Sequence, residues 1–265
     1  MTGAATGLSL ERYVDRASPL HRADARAKLP AVLGYVVAIA LTREGDWIAL
    51  ALLAAPIAAL VIASRLQLAL VLRRSLIAAP AFLVALPLLV TREGEALATF
   101  PVVGWEATEE GARAVLTIVT KSWLSVVVAV LLTATTPMPA LLGALRWLRV
   151  PRLLVATVAF AYRYLFVVAD EAGRMLRARA SRSAALPGRR AGRSLRWRAR
   201  VAGHLAGTLF VRSIDRAERV YAAMLARGYD GEMRSLSAPP LVGAQLAAGA
   251  ALVLFGALVQ LGVRA

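Results

Sequence analysis

Apolar residues in this chain gather into long runs, and polar residues fall mainly between them. Leu29 to Thr42 and Trp47 to Ala63 are apolar, separated only by Arg43-Glu44-Gly45-Asp46, the pattern of two helices joined by a tight turn. A third run extends from about Ser75 to Val90 and a fourth from about Ala114 to Thr135. In the fifth, Leu241 to Val263, Gln245 and Gln260 are the only polar side chains. A hydrocarbon core about 30 Å thick takes roughly 20 helical residues, so the five runs predict five spans, the short first one borrowing interfacial residues. All five are rich in Ala and Gly, which permits close helix contacts. Pro80 and Pro87 each remove a backbone donor from the third run and predict a kinked helix packed against neighbours.

Between the fourth and fifth runs the pattern changes. Residues 137–240 hold 19 arginines against six acidic residues, a composition that resists export across a membrane. Pro139 to Leu148 reads as a short amphipathic helix, closed at Val150-Pro151 because a residue before proline avoids helical dihedrals. Arg152 to Ala169 is apolar and of near-spanning length. As a span, however, it would put Arg163 near the bilayer centre and require the arginines from Arg174 to Arg200 to be translocated. It is therefore read as the start of a long cytoplasmic helix that continues to about Ser183 against the underside of the bundle. Pro187-Gly188-Arg189-Arg190-Ala191-Gly192-Arg193 breaks that helix, and a second runs from about Leu195 to Arg227 with Leu205, Leu209, Ala217, Tyr221 and Met224 near one face. The expected fold is an all-α integral membrane protein of about five transmembrane helices, with three cytoplasmic helices inserted before the last span. Its segments are 1–136, 137–238 and 239–265.

Composition and charge sharpen the placement. The 265 residues are 59% hydrophobic with a net charge of +16 and a mean hydropathy of +0.63, far more apolar surface than a soluble core of this length needs. Lys28 and Lys121 are the only lysines, so nearly all the positive charge is arginine. The basic stretch Arg22 to Lys28 keeps the N-terminus inside, and the acidic stretch with Glu93, Glu95, Glu106, Glu109 and Glu110 fits the outer face. The first thirty residues lack the apolar core of a signal peptide, so insertion is expected through the first span with nothing removed. Lys121, read as about seven residues from the outer end of its span, is expected to snorkel to the interface, with a buried functional cation as the alternative.

No enzymatic chemistry is expected. Neither lysine lies in a Gly-Lys-Ser/Thr phosphate loop, there is no cysteine, and the two histidines, His21 and His204, lie far apart. Hence neither a metal site nor a cofactor is predicted. What remains are two helix ends. Ala226-Arg227-Gly228 presents a guanidinium from a blunt end, because Gly228 suits the left-handed residue that stops a helix. Ala178-Arg179-Ala180-Ser181-Arg182-Ser183 closes the earlier helix in a similar way. An arginine so placed can enter a groove and pair bidentately with a carboxylate. The rival class is a basic membrane protein whose arginines, with Trp197 among them, bind anionic lipid or nucleic acid.

Arg216 to Gly231, containing Ala223-Met224-Leu225-Ala226-Arg227-Gly228-Tyr229-Asp230-Gly231, resembles the second coupling motif of the transmembrane component of energy-coupling-factor transporters, the CbiQ type in particular. Tyr162-Arg163-Tyr164-Leu165-Phe166, Thr135-Thr136-Pro137 and the stretch Ser18 to Lys28 resemble the same family in the same order. The resemblance implies two long coupling helices whose ends dock on two ABC ATPase subunits, a separate substrate-capture membrane subunit, a bacterial inner-membrane location, and cobalt as cargo with nickel next. Nucleic acid is not an expected partner; membrane lipid is. Position by position, Ala226, Arg227 and Gly228 match the second motif. Arg182 fits the first best, although Ser181 and Ser183 replace the usual Ala and Gly, and Arg179 is the alternative. The family's Asp-Pro-Arg stands here as Asp24-Ala25-Arg26, which predicts a less rigid turn before the first span.

Overall fold

A computed structural model describes residues 13–14, 16, 18–92, 94–100, 105–182, 194–231 and 242–264. In chain order the elements are α1 (Pro19–Arg22), α2 (Ala25–Ala40), α3 (Trp47–Ser64), α4 (Leu68–Ser75), a 3-10 turn (Leu76–Ala78), α5 (Ala79–Ala85), α6 (Leu88–Thr91), β1 (Ala96–Phe100), β2 (Trp105–Thr108), α7 (Glu109–Thr135), α8 (Met138–Trp147), α9 (Arg152–Arg182), α10 (Leu195–Ala226) and α11 (Gly243–Arg264). They divide into two compact units, one formed by residues 10–148 with 238–265 and the other containing 149–237.

In the first unit α7 is the central post, with α2, α3, α4, α5 and α6 packed around it. Its apolar positions Leu124, Val127, Val128, Leu131 and Ala134 meet Tyr35, Ile39, Leu50, Leu53, Ile57 and Val71 in one buried cluster. Tyr35 brings a hydroxyl into this cluster and satisfies it by donating to the Leu53 carbonyl at 2.6 Å, as a buried phenol requires. The helix α11 lies along α2 through small residues. A β-carbon on Gly256 would come within 2.9 Å of Ala38 Cβ, and one on Gly249 within 3.3 Å of Ala31 Cβ. The seven-residue spacing on both helices sets a close backbone approach.

The two glutamines of α11 fasten both ends of α2. Gln245 accepts from the Asp24 amide at 2.7 Å, while Gln260 donates to the Ala38 carbonyl at 2.9 Å and the Thr42 hydroxyl at 2.8 Å. The turn ahead of α2 is thus held without a proline. Asp24 caps the helix by accepting from Arg26 N at 2.8 Å, and Gln245 secures the Asp24 amide.

Among the described residues five helical segments are long and apolar enough to cross a membrane, namely α3, the run Leu68–Thr91, α7, α9 and α11. The total equals the one expected, but the membership differs. The first expected span folds as α2, which has 16 residues and at 1.5 Å per residue reaches only about 24 Å. In its place α9 qualifies, with 31 residues, where sequence reasoning kept it out of the bilayer. The third run also begins earlier than expected. Arg73 and Arg74 are helical, in the last turn of α4, rather than in a loop. Its prolines open new helical segments instead of kinking one: Pro80 occupies the first turn of α5 and Pro87 precedes α6. The acidic stretch expected at the outer face contains the antiparallel pair β1–β2. It ends where Thr108 accepts from Gly111 N at 3.1 Å, capping α7. Glu109 and Glu110 in the first turn complement the helix dipole, so α7 starts five residues before the apolar run does.

Candidate functional site

The second unit is built on α9 and α10, of 31 and 32 residues. Near the start of α9, Phe160 packs edge-to-face on Tyr229, at 6.5 Å between ring centroids. Near its end, Arg179 lies over the Trp197 ring at 5.5 Å. Because Trp197 begins α10 and Tyr229 follows its end, the two helices run antiparallel.

The end of α10 closes as its sequence demands. Arg227 is the capping residue and Gly228 takes the left-handed conformation, φ 78°. The Gly228 amide donates to Leu225 O at 2.9 Å and the Tyr229 amide to Met224 O at 3.0 Å, the paired bonds of a Schellman motif. Tyr229 is then anchored on Phe160, so the turn is tied to the neighbouring helix. Ala226, Arg227 and Gly228 all remain exposed. The Met224 and Leu225 carbonyls are thereby satisfied by backbone amides rather than by the Arg227 guanidinium.

At the end of α9, Arg182 is the last helical residue and is exposed, whereas Arg179 is engaged with Trp197. Ala178 is exposed and its carbonyl accepts from the Ser181 hydroxyl at 2.9 Å. Of the two arginines weighed for the first motif, Arg182 is exposed and Arg179 half-buried. Ser183 and the expected break at Pro187 to Arg193 lie outside the described residues. The two candidate ends sit at opposite ends of the antiparallel pair. From Phe160, beside Tyr229, to Arg182 is roughly 33 Å of helix at 1.5 Å per residue.

Glu171 was not singled out by sequence reasoning, yet it joins the two helices. One carboxylate oxygen accepts from Arg212 of α10 at 2.5 Å, and the other accepts from Arg174 one turn along α9. The available signal was its position, an acid at the point where α9 changes from apolar to basic. Below this bridge an apolar cavity of about 600 Å³ opens between the helices, lined by Phe160, Tyr164, Val168, Val220 and Met224 among others. Tyr162, from the same short motif, stacks edge-on with Phe166 at 5.1 Å.

In the first unit two other motif stretches meet. Lys28 Nζ donates to Thr136 Oγ1 at 3.2 Å and to the Thr135 carbonyl at 3.3 Å, and the Val14 amide donates to Ala134 O at 3.0 Å. Ser18 Oγ and His21 Nδ1 share a 2.6 Å hydrogen bond, and His21 Nε2 reaches the Val14 carbonyl at 2.9 Å. His21 is thus occupied in holding the N-terminal segment to the end of α7. Among the described residues no three His, Asp or Glu side chains cluster as a metal site.

Comparison with known proteins gives the family. The family of the cobalt transport protein CbiQ matches residues 16–237. The cobalt transport protein CbiQ of Rhodobacter capsulatus is 36% identical over 132 residues, 50% of this chain and 51% of that protein. An uncharacterized protein of Methanocaldococcus jannaschii is 31% identical over 129 residues, 49% of this chain and 42% of its own. These two alignments thus span about half or less of the relatives' lengths. The energy-coupling factor transporter transmembrane protein EcfT of Brevibacillus brevis is 30% identical over 235 residues, 84% of this chain and 85% of that protein.

Proposed function

Because the chain belongs to the CbiQ/EcfT family of energy-coupling-factor transporter membrane subunits, we propose that it is the coupling scaffold of an ATP-driven importer. Two cytoplasmic ABC ATPases supply the work and a separate membrane subunit captures the cargo. This chain, in the bacterial cytoplasmic membrane with its N-terminus inside, passes motion from one to the other through α9 and α10.

The observation that carries the reading is the end of α10. Arg227 stands exposed between Ala226 and Gly228, on a turn closed by two backbone hydrogen bonds. A guanidinium presented this way, with little bulk beside it, suits a groove that offers a carboxylate fork. Arg182 provides the second contact, at the opposite end of the pair, a separation that suits two distinct ATPases. The Glu171 bridge supports transmission, since a push on one helix is resisted by the other. Cobalt(2+) is the proposed cargo, on the name of the Rhodobacter relative, with nickel the alternative. Its ligands belong to the capture subunit, and ATP hydrolysis to the ATPases.

The test is reconstitution of the chain with both ATPases and the capture subunit in proteoliposomes. Arg227→Glu should lower ATP-dependent cobalt uptake at least tenfold and weaken co-purification of an ATPase. Arg227→Lys, which keeps charge but loses the fork, should fall between. Full uptake by Arg227→Glu would overturn the docking role.

A further inference from the structure

The apolar cavity and the cluster of arginines in the second unit are two parts of one groove. The cavity lies between Leu153–Val168 of α9 and Leu209–Met224 of α10. Immediately beyond Glu171 and Arg212, which line both, a second cavity of about 600 Å³ is walled by Arg174, Arg179, Arg182, Trp197 and Thr208. Along one axis the groove passes from aliphatic and aromatic walls to a mouth with four guanidiniums and a single carboxylate. The Glu171 carboxylate is already shared by Arg174 and Arg212, and five donors per guanidinium leave capacity for a further anion.

From this polarity we infer that the α9–α10 groove holds one anionic phospholipid, its phosphate at Arg174, Arg212 and the Arg179–Trp197 stack and an acyl chain between Phe160 and Val220. The slot is long enough for an acyl chain: from Leu153 to Val168 is about 22 Å of helix, more than the about 15 Å of hydrocarbon that one leaflet contributes. A free phosphate would leave the apolar cavity empty, and a zwitterionic lipid would bring its own cation against the guanidiniums. A basic mouth next to an apolar slot selects for net negative charge on a chain-bearing molecule. The inference does not rest on the coupling role, because the phosphate is placed on Arg174, Arg212 and Arg179 and not on Arg182 or Arg227, the two coupling residues.

The test uses the full chain, delipidated in an uncharged detergent and titrated with dioctanoyl-phosphatidylglycerol, dioctanoyl-phosphatidylcholine or inorganic phosphate. Phosphatidylglycerol should bind saturably, one per chain, at least tenfold tighter than the other two. Arg174→Gln combined with Trp197→Leu should weaken it at least tenfold, and Thr157→Trp, which fills the slot, should do the same without touching the basic mouth. In a second arm, a photo-crosslinking residue replaces Ala161 in the complex assembled in phosphatidylglycerol membranes. An adduct with the mass of one phospholipid supports the proposal. Equal binding of all three probes, non-saturable uptake, or crosslinking of Ala161 to a protein subunit in place of lipid would overturn it.

Discussion

Lys121 shows how one side chain can be explained only once its neighbours are placed. It lies twelve residues into α7, not seven, because Thr108 and the two glutamates start that helix early. Yet it has no need to reach the interface. The short helix α2 ends nearby, and Lys121 donates to the Thr42 carbonyl, where a helix end gathers partial negative charge. Gln260 bonds the Thr42 hydroxyl at 2.8 Å, so two side chains from different helices meet at one residue. The two roles weighed for this lysine were a snorkelling cation and a buried functional one; the geometry supports instead a fastener between α7 and the end of α2. Lys121→Met should then lower the stability of the solubilised chain by about 1–3 kcal/mol through an unpaired buried acceptor, measured as a drop in melting temperature. Lys121→Gln, which keeps a donor, should recover part of it. Loss of uptake at unchanged melting temperature would assign the lysine to transport instead.

At the scale of elements, the contact between α2 and α11 decides how the first unit closes. Their faces meet through Gly249 and Gly256 against Ala27, Ala31 and Ala38. The other neighbour of Gly256 is the Tyr35 ring, which its hydrogen bond to Leu53 O holds in place, so little there can shift around an added methyl group. Gly256→Val would bring a β-carbon to 2.9 Å from Ala38 Cβ, and overpacking of this kind costs about 1–3 kcal/mol. A clear fall in melting temperature is expected. Adding Ala38→Gly should restore much of it, and that rescue separates contact from general damage. The abundance of Ala and Gly made close packing legible, but not which pairs of helices would use it. Helix ends were legible where local chemistry sets them: α8 and α10 begin and end, and α9 begins, within a residue or two of expectation, since Pro151, Ser194 and Gly228 stop or start them whatever lies around. The broken run from Leu68 to Thr91 was not, because Pro80 can bend a helix or begin one, and tertiary packing chooses. Nor was the Glu171–Arg212 bridge, which joins residues 41 apart.

For the whole molecule the open question is the side of the membrane on which α9 and α10 work. By length and hydropathy α9 can span, yet a spanning α9 would hold Arg163 near the bilayer centre at a cost of about 2.5–3.5 kcal/mol. The residues from Arg174 to Arg200 would also lie on the face opposite to the arginine-rich N-terminal segment. Charge favours keeping both long helices inside, as the coupling proposal requires, since ATP is cytoplasmic. The chain has no cysteine, so each introduced cysteine reports its own site. In intact cells a membrane-impermeant maleimide should label Glu44→Cys, in the turn between α2 and α3. It should label Ser181→Cys and Glu218→Cys only after permeabilisation, and Arg163→Cys should react in the permeabilised state as well. If Arg163→Cys stays unreactive throughout while Ser181→Cys labels from outside, α9 crosses the bilayer, its arginine tip faces away from any ATPase, and the lever mechanism fails.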